Sequence, residues 1–515
     1  MGLGKLSQLF VVLTLAAIFA FVQGCSFDAG IDRDNLLPTV PAESETPGIV
    51  IPSGAPTIDI FGLAFSSAGN LNPITCASKL NMYLIPLMYE SLFEIDGNFE
   101  ARPLLCERFE RDENSYILYI DKDVKFSDGT GLTAQDVKYS LELAKGNDTY
   151  YSERLRFVRS ISAVGDDAVK IELAEPMGHL EWLLDIPIIK SGSSNMVSPI
   201  GTGPYMYVED GDESYLKAYS GWWQNRKRPY PRIDLIDTPE ADLLISFFES
   251  GAISLAGNDP TATDPVVFGG DYEEWSFPTS IMYYLGANTE DGPMRDPELR
   301  KALSHAIDRE FICETEMVRY ADPAVLPVNP ASRLYDTGIA AGMGFSLEKF
   351  ARQVEGAGYD EEKPLVINMI VNSENKYKVA VAERIAEDMR TMGVTVNLGL
   401  LKWEDYLAAL NAGNFDIYLA EVKLRNDFDL TELVSQKGSL NFGRYYSEDT
   451  EFLLTSFTQA DSNSIGSVSS SLYRKLAEDA PIIPILFKRH VVNAKRGLIE
   501  AIDPKQTNIF NGLIG

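Results

Sequence analysis

Leu365-Val366-Ile367-Asn368-Met369-Ile370-Val371 is an apolar run with the length of a buried β-strand. Further along, apolar side chains recur at helical spacing at Ala382, Ile385, Ala386 and Met389. Gly393 follows them, and glycine commonly ends helices. The stretch therefore predicts a strand followed by a helix that covers its sheet.

The same alternation continues beyond Gly393. Residues 394–398 predict a second strand, Trp403 to Leu410 a second helix that ends near Gly413, and residues 415–419 a third strand. Strands separated by helices pair in parallel, because the helix returns the chain to the same end of the sheet. We therefore expect an α/β region whose parallel or mixed sheet is covered by helices.

Capping and turn residues mark other boundaries. Thr133-Ala134-Gln135-Asp136 has the form of a capping box, and Asp296-Pro297 combines an N-cap aspartate with proline at the first helical position. Asp128-Gly129 is typical of a turn in which glycine supplies positive φ, and Gly201-Thr202-Gly203-Pro204 is interpreted as another turn. These segments predict two helix starts and two turns.

The length and charge of the chain limit what it can be. Its 515 residues are too many for one hydrophobic core and enough for two or three lobes. The net charge of −30 argues against nucleic acid or an anionic lipid surface as a partner, because neither would meet a basic surface. The acidic surface favours solubility, and attraction of cationic ligands is the alternative interpretation.

Residues 1–24 have the pattern of an export signal. Lys5 precedes an apolar run over residues 9–22, which is short for a membrane span. The run ends in Val22-Gln23-Gly24-Cys25, which is similar to a bacterial lipobox, although a small residue is usual where Gln23 stands. We expect cleavage before Cys25 and a diacylglyceryl group on its thiol; an ordinary secretory signal with a chance cysteine is the alternative.

Residues 25–56 are expected to form a lipidated, flexible tether. The segment is polar and is interrupted by Pro38, Pro41, Pro47, Pro52 and Pro56. Prolines at this spacing favour an extended chain. No second long apolar segment follows, so the remainder is expected to be soluble.

The sequence lacks patterns of catalytic or metal-binding chemistry. Cys76, Cys106 and Cys313 permit one disulfide at most and lack metal-ligand spacing, so they are interpreted as buried small residues. The three histidines lie far apart in the sequence. There is no phosphate-binding loop, zinc-protease motif or nucleophile elbow. We expect no catalytic residue, no metal and no cofactor.

A series of motifs is spread over nearly the whole chain beyond the tether. In order, they are Asn70-Leu71-Asn72-Pro73, Met88-Tyr89-Glu90-Ser91-Leu92-Phe93-Glu94, Arg102-Pro103-Leu104-Leu105, Val124-Lys125-Phe126-Ser127-Asp128-Gly129-Thr130 with Leu132-Thr133-Ala134-Gln135-Asp136-Val137, Gly201-Thr202-Gly203-Pro204-Tyr205, Asp296-Pro297 with Arg300-Lys301-Ala302-Leu303, and Ala480-Pro481-Ile482-Ile483-Pro484-Ile485. The series resembles the extracellular solute-binding proteins of family 5, which include oligopeptide- and dipeptide-binding components of ABC importers.

This resemblance implies an α/β, periplasmic-binding-protein-like fold of type II, in its large three-part variety. Two lobes would be joined by a hinge of two chain crossings, near residues 279–288 and 478–487. We expect lobe I at 57–280 plus 485–515, with an inserted subdomain at roughly 75–195, and lobe II at 281–484.

The resemblance also implies a ligand site between the lobes. In peptide-binding relatives an aspartate pairs with the α-ammonium group of the peptide. Its match here is Asp427, followed by Phe428, with Asp429 as the rival. The Gly-Trp pair and trailing proline of the family segment are missing, and Lys423 and Arg425 bring positive charge that would neutralise the aspartate or bind a carboxylate instead.

Two further residues are candidate ligand contacts. Trp403, before a short helix, is interpreted either as a wall of the cleft or as an ordinary core residue. The other is Asn288, because Asn288-Thr289 resembles part of the interdomain segment of the family.

The implied function is solute capture for the permease and ATPase of an ABC importer, without enzymatic activity. A peptide bound as an added strand is the leading ligand. Nickel or its chelates, oligosaccharides and small cations are alternatives, as is a surface peptide receptor that feeds no transporter. We expect a monomer held by its lipid on the outer face of the cytoplasmic membrane, with no nucleic-acid partner.

Overall fold

The computed structural model describes residues 61–146 and 149–513. Cys25, the export signal at 1–24 and the tether at 25–56 lie outside these residues, so the expectations about them stay predictions. Between residues 61 and 513, no helix that the structure describes is long and apolar enough to cross a membrane.

The secondary structure alternates along much of the chain. The strands are β1 (Phe61–Phe65), β2 (Phe93–Ile95), β3 (Ala101–Pro103), β4 (Cys106–Asp112), β5 (Ser115–Ile120), β6 (Val158–Val164), β7 (Ala168–Leu173), β8 (Tyr205–Asp210), β9 (Glu213–Ala218), β10 (Arg232–Asp237), β11 (Leu255–Asn258), β12 (Tyr272–Ala287), β13 (Ala321–Pro323), β14 (Val366–Asn372), β15 (Thr395–Leu401), β16 (Ile417–Lys423) and β17 (Ile482–Lys495). The longer helices are α1 (Lys79–Met88), α2 (Ala134–Ala144), α3 (Ala241–Ser250), α4 (Pro297–His305), α5 (Leu347–Gly356), α6 (Lys376–Thr391), α7 (Trp403–Ala412), α8 (Glu448–Gln459) and α9 (Ile465–Asp479). Short α-helical turns lie at Arg309–Phe311, Thr337–Ala340 and Thr431–Val434.

The stretch that begins at Leu365 forms the predicted α/β unit, in the order β14, α6, β15, α7, β16. The N-cap residue of α6 is Asn375, whose side chain accepts two backbone N–H groups of the first turn. Gly393 follows the end of α6 and Gly413 the end of α7, with positive φ angles of 81° and 74° that glycine adopts easily. β14 pairs in parallel with both β15 and β16, so the predicted α/β region with a parallel or mixed sheet is confirmed.

Eleven strands of the described chain form one mixed sheet. Its order is β15-β14-β16-β12-β17-β11-β1-β10-β9-β8, and β13 pairs with β17 beside this path. The long strands β12 and β17 are antiparallel, with a register shift between Pro278 and Met282. Both strands continue through this shift and pair with each other before and after it. Smaller sheets have the orders β4-β5-β7-β6 and β2-β3.

The buried apolar side chains divide at this register shift. We call residues 61–277 with 489–513 the N-terminal region, and residues 282–487 the central region. Each has a hydrophobic cluster of its own, as a chain too long for one core requires. A third cluster, here called the shared cluster, packs Phe99 and Trp182 of the N-terminal region with Phe428 and other residues of the central region.

Most of the predicted local features are present. The backbone N–H of Thr133 donates to Asp136 Oδ2 at 3.0 Å, which completes one half of the capping box. Asp296 caps α4 by accepting the N–H of Glu298 at 2.9 Å. The cysteines at 76, 106 and 313 are buried, as predicted, and all three are free.

Gly201-Thr202-Gly203-Pro204 packs closely against another segment of the chain. Neither glycine has positive φ. Instead, they let this segment pack against the end of α1: the N–H of Gly203 donates to the carbonyl oxygen of Met88 at 3.0 Å. A Cβ atom on Gly201 would lie only 2.1 Å from that oxygen, so any larger residue would push the two segments apart.

Candidate functional site

The ends of parallel strands from the two regions lie against each other. β11 leads into Asp259 and Thr261, and β14 leads into Asn375. Asn375 Nδ2 donates to the carbonyl oxygen of Thr261 at 3.1 Å. In open α/β sheets, ligands bind outside the carboxyl ends of the strands. We call the surfaces that meet after β11, β14 and β16 the cleft.

An ion network of one buried and three partly buried residues ties the two regions together in the cleft. Lys488 Nζ lies 2.7 Å from Asp259 Oδ2 and 4.0 Å from Glu421 Oε2. Lys378 Nζ, at the start of α6, lies 3.4 Å from the same Glu421 oxygen. Burial opposes ionisation of Glu421, but the two lysines outweigh it and lower the pKa of this carboxyl group. Both carboxylates of the network therefore have cationic partners within the protein.

One edge of β16 has no partner strand near its end. β16 pairs with β12 from Ile417 to Lys423, but with β14 only from Ile417 to Leu419. Among the residues that the structure describes, no strand pairs with the other edge of residues 420–423. Backbone groups at an unpaired edge can accept an added strand.

Asp427 follows β16 and is completely buried. Its Oδ2 lies 2.7 Å from Arg425 Nη2, and its Oδ1 accepts from Arg425 Nε at 3.1 Å. His179 of the N-terminal region places Nε2 3.5 Å from Asp427 Oδ2. Burial alone would raise the pKa of Asp427, but Arg425 and His179 outweigh it and hold the pKa well below its usual range. Asp427 is therefore an ionised carboxylate neutralised from within the chain.

The side chain of Asp429, only 5% exposed, also lies against cations. Its Oδ2 lies 2.7 Å from Arg425 Nη2 and 3.5 Å from Nη2 of Arg156, which belongs to the N-terminal region. Its Oδ1 accepts the backbone N–H of Thr431 at 2.8 Å. The same guanidinium of Arg425 thus serves both predicted aspartates.

Lys423, the last residue of β16, contacts the N-terminal region. Its ammonium group donates to the hydroxyl of Tyr150 at 2.8 Å. Burial would raise the pKa of Tyr150, but the charges of Lys423 and Arg154 lower it to about 8. The guanidinium of Arg154 is itself paired with Asp185.

The other two candidate contacts have different surroundings. Trp403 is half-buried at the start of α7 and packs against Tyr406. Asn288 is buried; its Nδ2 donates to the carbonyl oxygens of Gly413 and Phe415, each at 3.2 Å. A ligand would have to displace such a bond to reach Asn288. As ligand contacts, all five candidate residues (Asp427, Asp429, Arg425, Trp403 and Asn288) stay predictions, although the first three lie together.

Sequence reasoning missed Asp259, Lys488, Tyr150 and His179. Lys488 could have been identified from the sequence, because it is a lysine within the otherwise apolar first part of β17. A buried lysine requires a partner. Tyr150 and His179 come from segments far from residue 427 in the sequence, and no local pattern indicated them. No group of three or more acidic, histidine or cysteine side chains suited to a metal occurs between residues 61 and 513, as far as the structure describes them.

The sequence profile of the bacterial extracellular solute-binding proteins, family 5 (middle), matches residues 100–436. This chain belongs to that family. The oligopeptide-binding protein AppA of Bacillus subtilis is 23% identical over 437 residues, which cover 77% of this chain and 80% of AppA. The periplasmic oligopeptide-binding protein OppA of Escherichia coli is 22% identical over 465 residues, covering 79% of this chain and 82% of OppA.

Solved structures share the fold of this chain. The crystal structure of a nickel ABC transporter protein from Bacillus halodurans has a TM-score of 0.75 at 18% identity, and the match covers 88% of this chain and 99% of that one. Such a likeness establishes the fold: the two-lobed α/β fold of type II is confirmed. Family 5 consists of extracellular binding proteins, so the predicted solute capture for an importer is confirmed at that level.

Proposed function

We propose that this family 5 protein binds a peptide in the cleft, without enzymatic activity, and delivers it to the permease and ATPase of an ABC importer. The observation that carries the proposal is the open edge of β16 at residues 420–423. An extended peptide laid along this edge would form main-chain hydrogen bonds, which do not depend on its side chains.

We place the α-ammonium group of the peptide at Asp427. Arg425 contacts Asp427 and Asp429 through the same Nη2 atom, at 2.7 Å from each. When an ammonium group approaches Asp427, Arg425 can remain paired with Asp429. This exchange keeps every buried charge paired, which a low-dielectric site requires.

Closure of two lobes around the ligand belongs to the same proposal. Lobe I comprises 57–280 plus 485–515, with the subdomain at roughly 75–195, and lobe II comprises 281–484. The register shift of β12 between Pro278 and Met282 supports a hinge there, because irregular pairing bends strands locally. The crossings near 279–288 and 478–487 adjoin this shift.

The proposed location is the outer face of the cytoplasmic membrane. Gly24-Cys25 directly after the apolar run supports a lipid anchor on Cys25. The tether at 25–56 would hold a monomeric binding domain clear of the surface.

The test begins with mass spectrometry of the small molecules that co-purify with the protein. Calorimetry then compares short peptides with the same peptides N-methylated at one backbone amide. A lost backbone hydrogen bond costs about 1 kcal/mol, and the methyl group also blocks strand pairing, so we expect at least about tenfold weaker binding. Side-chain replacement in the same peptides is the matched control and should matter less. The peptide proposal fails if a non-peptide solute co-purifies and no peptide binds.

A further inference from the structure

The long strands β12 and β17 lose their one-to-one pairing at residues 279–281, which we call the bulge. Pro278 is the last residue of β12 to pair before the bulge and Met282 the first after it, so three residues lie opposite Lys488 alone. A bulge interrupts the ladder of hydrogen bonds between its strands. The backbone groups of the bulge therefore need other partners, because an unpaired buried N–H or C=O group is costly.

The central region supplies partners on one side of the bulge. Asn329 Nδ2 donates to the carbonyl oxygen of Thr279 at 2.8 Å. The backbone N–H of Leu424 donates to the carbonyl oxygen of Ser280 at 2.9 Å, and Ser280 Oγ donates to the carbonyl oxygen of Leu424 at 2.8 Å. Thr279, Ser280 and Asn329 are completely buried. These hydrogen bonds attach the bulge firmly to the central region.

A side chain of the N-terminal region holds the bulge from the other side. Gln506 Oε1 accepts the backbone N–H of Ser280 at 2.6 Å, and Gln506 Nε2 donates to Ser280 Oγ at 3.2 Å. Gln506 and Thr507 form the tip of a tight turn, in which Lys505 and Asn508 exchange two backbone hydrogen bonds. Thr507 Oγ1 donates to the carbonyl oxygen of residue 95 at 3.3 Å. The turn is thus fixed to the N-terminal region and contacts the bulge through Gln506.

We propose that Gln506 is a hinge brace, which favours the arrangement in which the two regions touch. When the regions separate about the bulge, Leu424 carries Ser280 with the central region, whereas the turn stays with the N-terminal region. Separation therefore breaks the two hydrogen bonds between Gln506 and Ser280. This inference rests on the proposed closure of the lobes, and it assigns a positioning residue that lies outside the cleft.

The experiment measures hydrogen exchange of the full chain, purified in detergent, without ligand. The amide of Gly178 in the N-terminal region donates to the carbonyl oxygen of Thr458 in the central region at 2.8 Å. The segments pack so closely that a Cβ atom on Gly178 would lie 2.3 Å from the carbonyl oxygen of Ala460. Exchange at Gly178 therefore reports separation of the regions, even when separated molecules are rare. Ile171 is the reference amide, because β7 pairs with β5 and β6 within the N-terminal region.

Variants assign the effect to Gln506. Gln506→Ala should speed exchange at Gly178 about five- to thirtyfold, as expected for one or two lost neutral hydrogen bonds, and leave Ile171 unchanged. Gln506→Glu retains an oxygen that can accept the N–H of Ser280, so its exchange at Gly178 should lie closer to the wild type. Thr507→Val is the matched control, because it removes a bond of the same turn that lies within the N-terminal region. Thermal melting confirms that each variant is folded.

The outcomes separate the brace from the proposed function. If Gln506→Ala leaves exchange at Gly178 unchanged, or if Thr507→Val speeds it equally, the brace is wrong and peptide capture is unaffected. A parallel rise at Gly178 and Ile171 also refutes the brace, because the N-terminal region itself is then unfolding. If Gly178 of the wild type exchanges no faster than Ile171, the regions do not separate in the folded protein. Lobe closure and the brace then both fail, whereas calorimetry still decides whether peptides bind.

Discussion

Arg425 holds the buried carboxylate of Asp427 by two hydrogen bonds, 2.7 Å from Nη2 to Oδ2 and 3.1 Å from Nε to Oδ1. The aspartate that resembles the ammonium contact of peptide-binding relatives is thus already neutralised. An incoming ammonium group would have to compete with an arginine of the same loop. The affinity gained from this charge would therefore be smaller than that of an unoccupied aspartate.

Removing Arg425 should destabilise the protein more than removing the charge of Asp427. Arg425→Met leaves the buried carboxylate of Asp427 with His179 as its only remaining ion-pair partner. Breaking a buried pair in this way costs about 3–5 kcal/mol. Asp427→Asn should cost less, because Arg425 keeps Asp429. Urea unfolding measures both. Arg108→Met, which breaks the exposed pair with Glu110, is the control and should cost less than about 1 kcal/mol. Equal stability of Arg425→Met and wild type would contradict the pairing.

N-acetylation of a peptide should weaken its binding to the wild type about ten- to a hundredfold, since one charged hydrogen bond is lost. In Asp427→Asn, free and acetylated peptides should bind alike; in Asp429→Asn, the difference should persist. Calorimetry on folded variants measures this non-additivity. Equal binding of both peptides to the wild type would show that Asp427 does not bind the α-ammonium group of the peptide.

Glu90 should make the stability depend on pH. Its buried carboxyl group accepts the indole N–H groups of Trp222 and Trp223 at 3.2 and 2.8 Å. Burial nevertheless raises the pKa of Glu90 to about 7, above about 4.3 in the unfolded chain. Between these pH values the unfolded state has lost the proton that the folded state keeps, so the free energy of unfolding falls as pH rises from about 4 to 7.

Tryptophan fluorescence should follow the same group, with a midpoint near pH 7, because the two indoles contact the carboxyl group. Glu90→Gln should abolish this step. A step that persists in Glu90→Gln would assign the titration to another residue.

Ligand should compact the protein. If two lobes close about the register shift of β12, small-angle scattering should show a smaller radius of gyration with bound ligand. Binding to the folded state alone should also raise the unfolding free energy by about 2.7 kcal/mol at about a hundred times the dissociation constant. An unchanged radius with calorimetrically proven binding would argue against a hinge.

Cys25→Ala should release the protein from the membrane. Under the proposed lipid anchor, two acyl chains on the thioether-linked lipid would supply stable attachment, and the variant would lack their site. Fractionation of washed membranes measures the loss. If the variant remains in the membrane fraction, Cys25 is not the anchor.

Sequence reasoning was most successful where the pattern was local. The unit from Leu365 to Lys423 follows from hydrophobic periodicity and glycine stops, and the capping box at Thr133 follows from four consecutive residues. The close packing at Gly201 could not be predicted, because the carbonyl of Met88 that excludes a side chain there comes from a distant segment. Partners such as Arg156 with Asp429 depend on how the two regions meet, which no local pattern determines.

The shared cluster would give any opening of the two proposed lobes a characteristic dependence on temperature. Phe99 and Phe428 pack edge to face across the two regions, with ring centroids 5.0 Å apart, and both are buried, as is Trp182. Separating the regions would hydrate these rings, and hydration of apolar surface raises the heat capacity. The enthalpy of opening therefore changes with temperature. The apolar contact also weakens on cooling, so this cluster opposes opening less strongly in the cold.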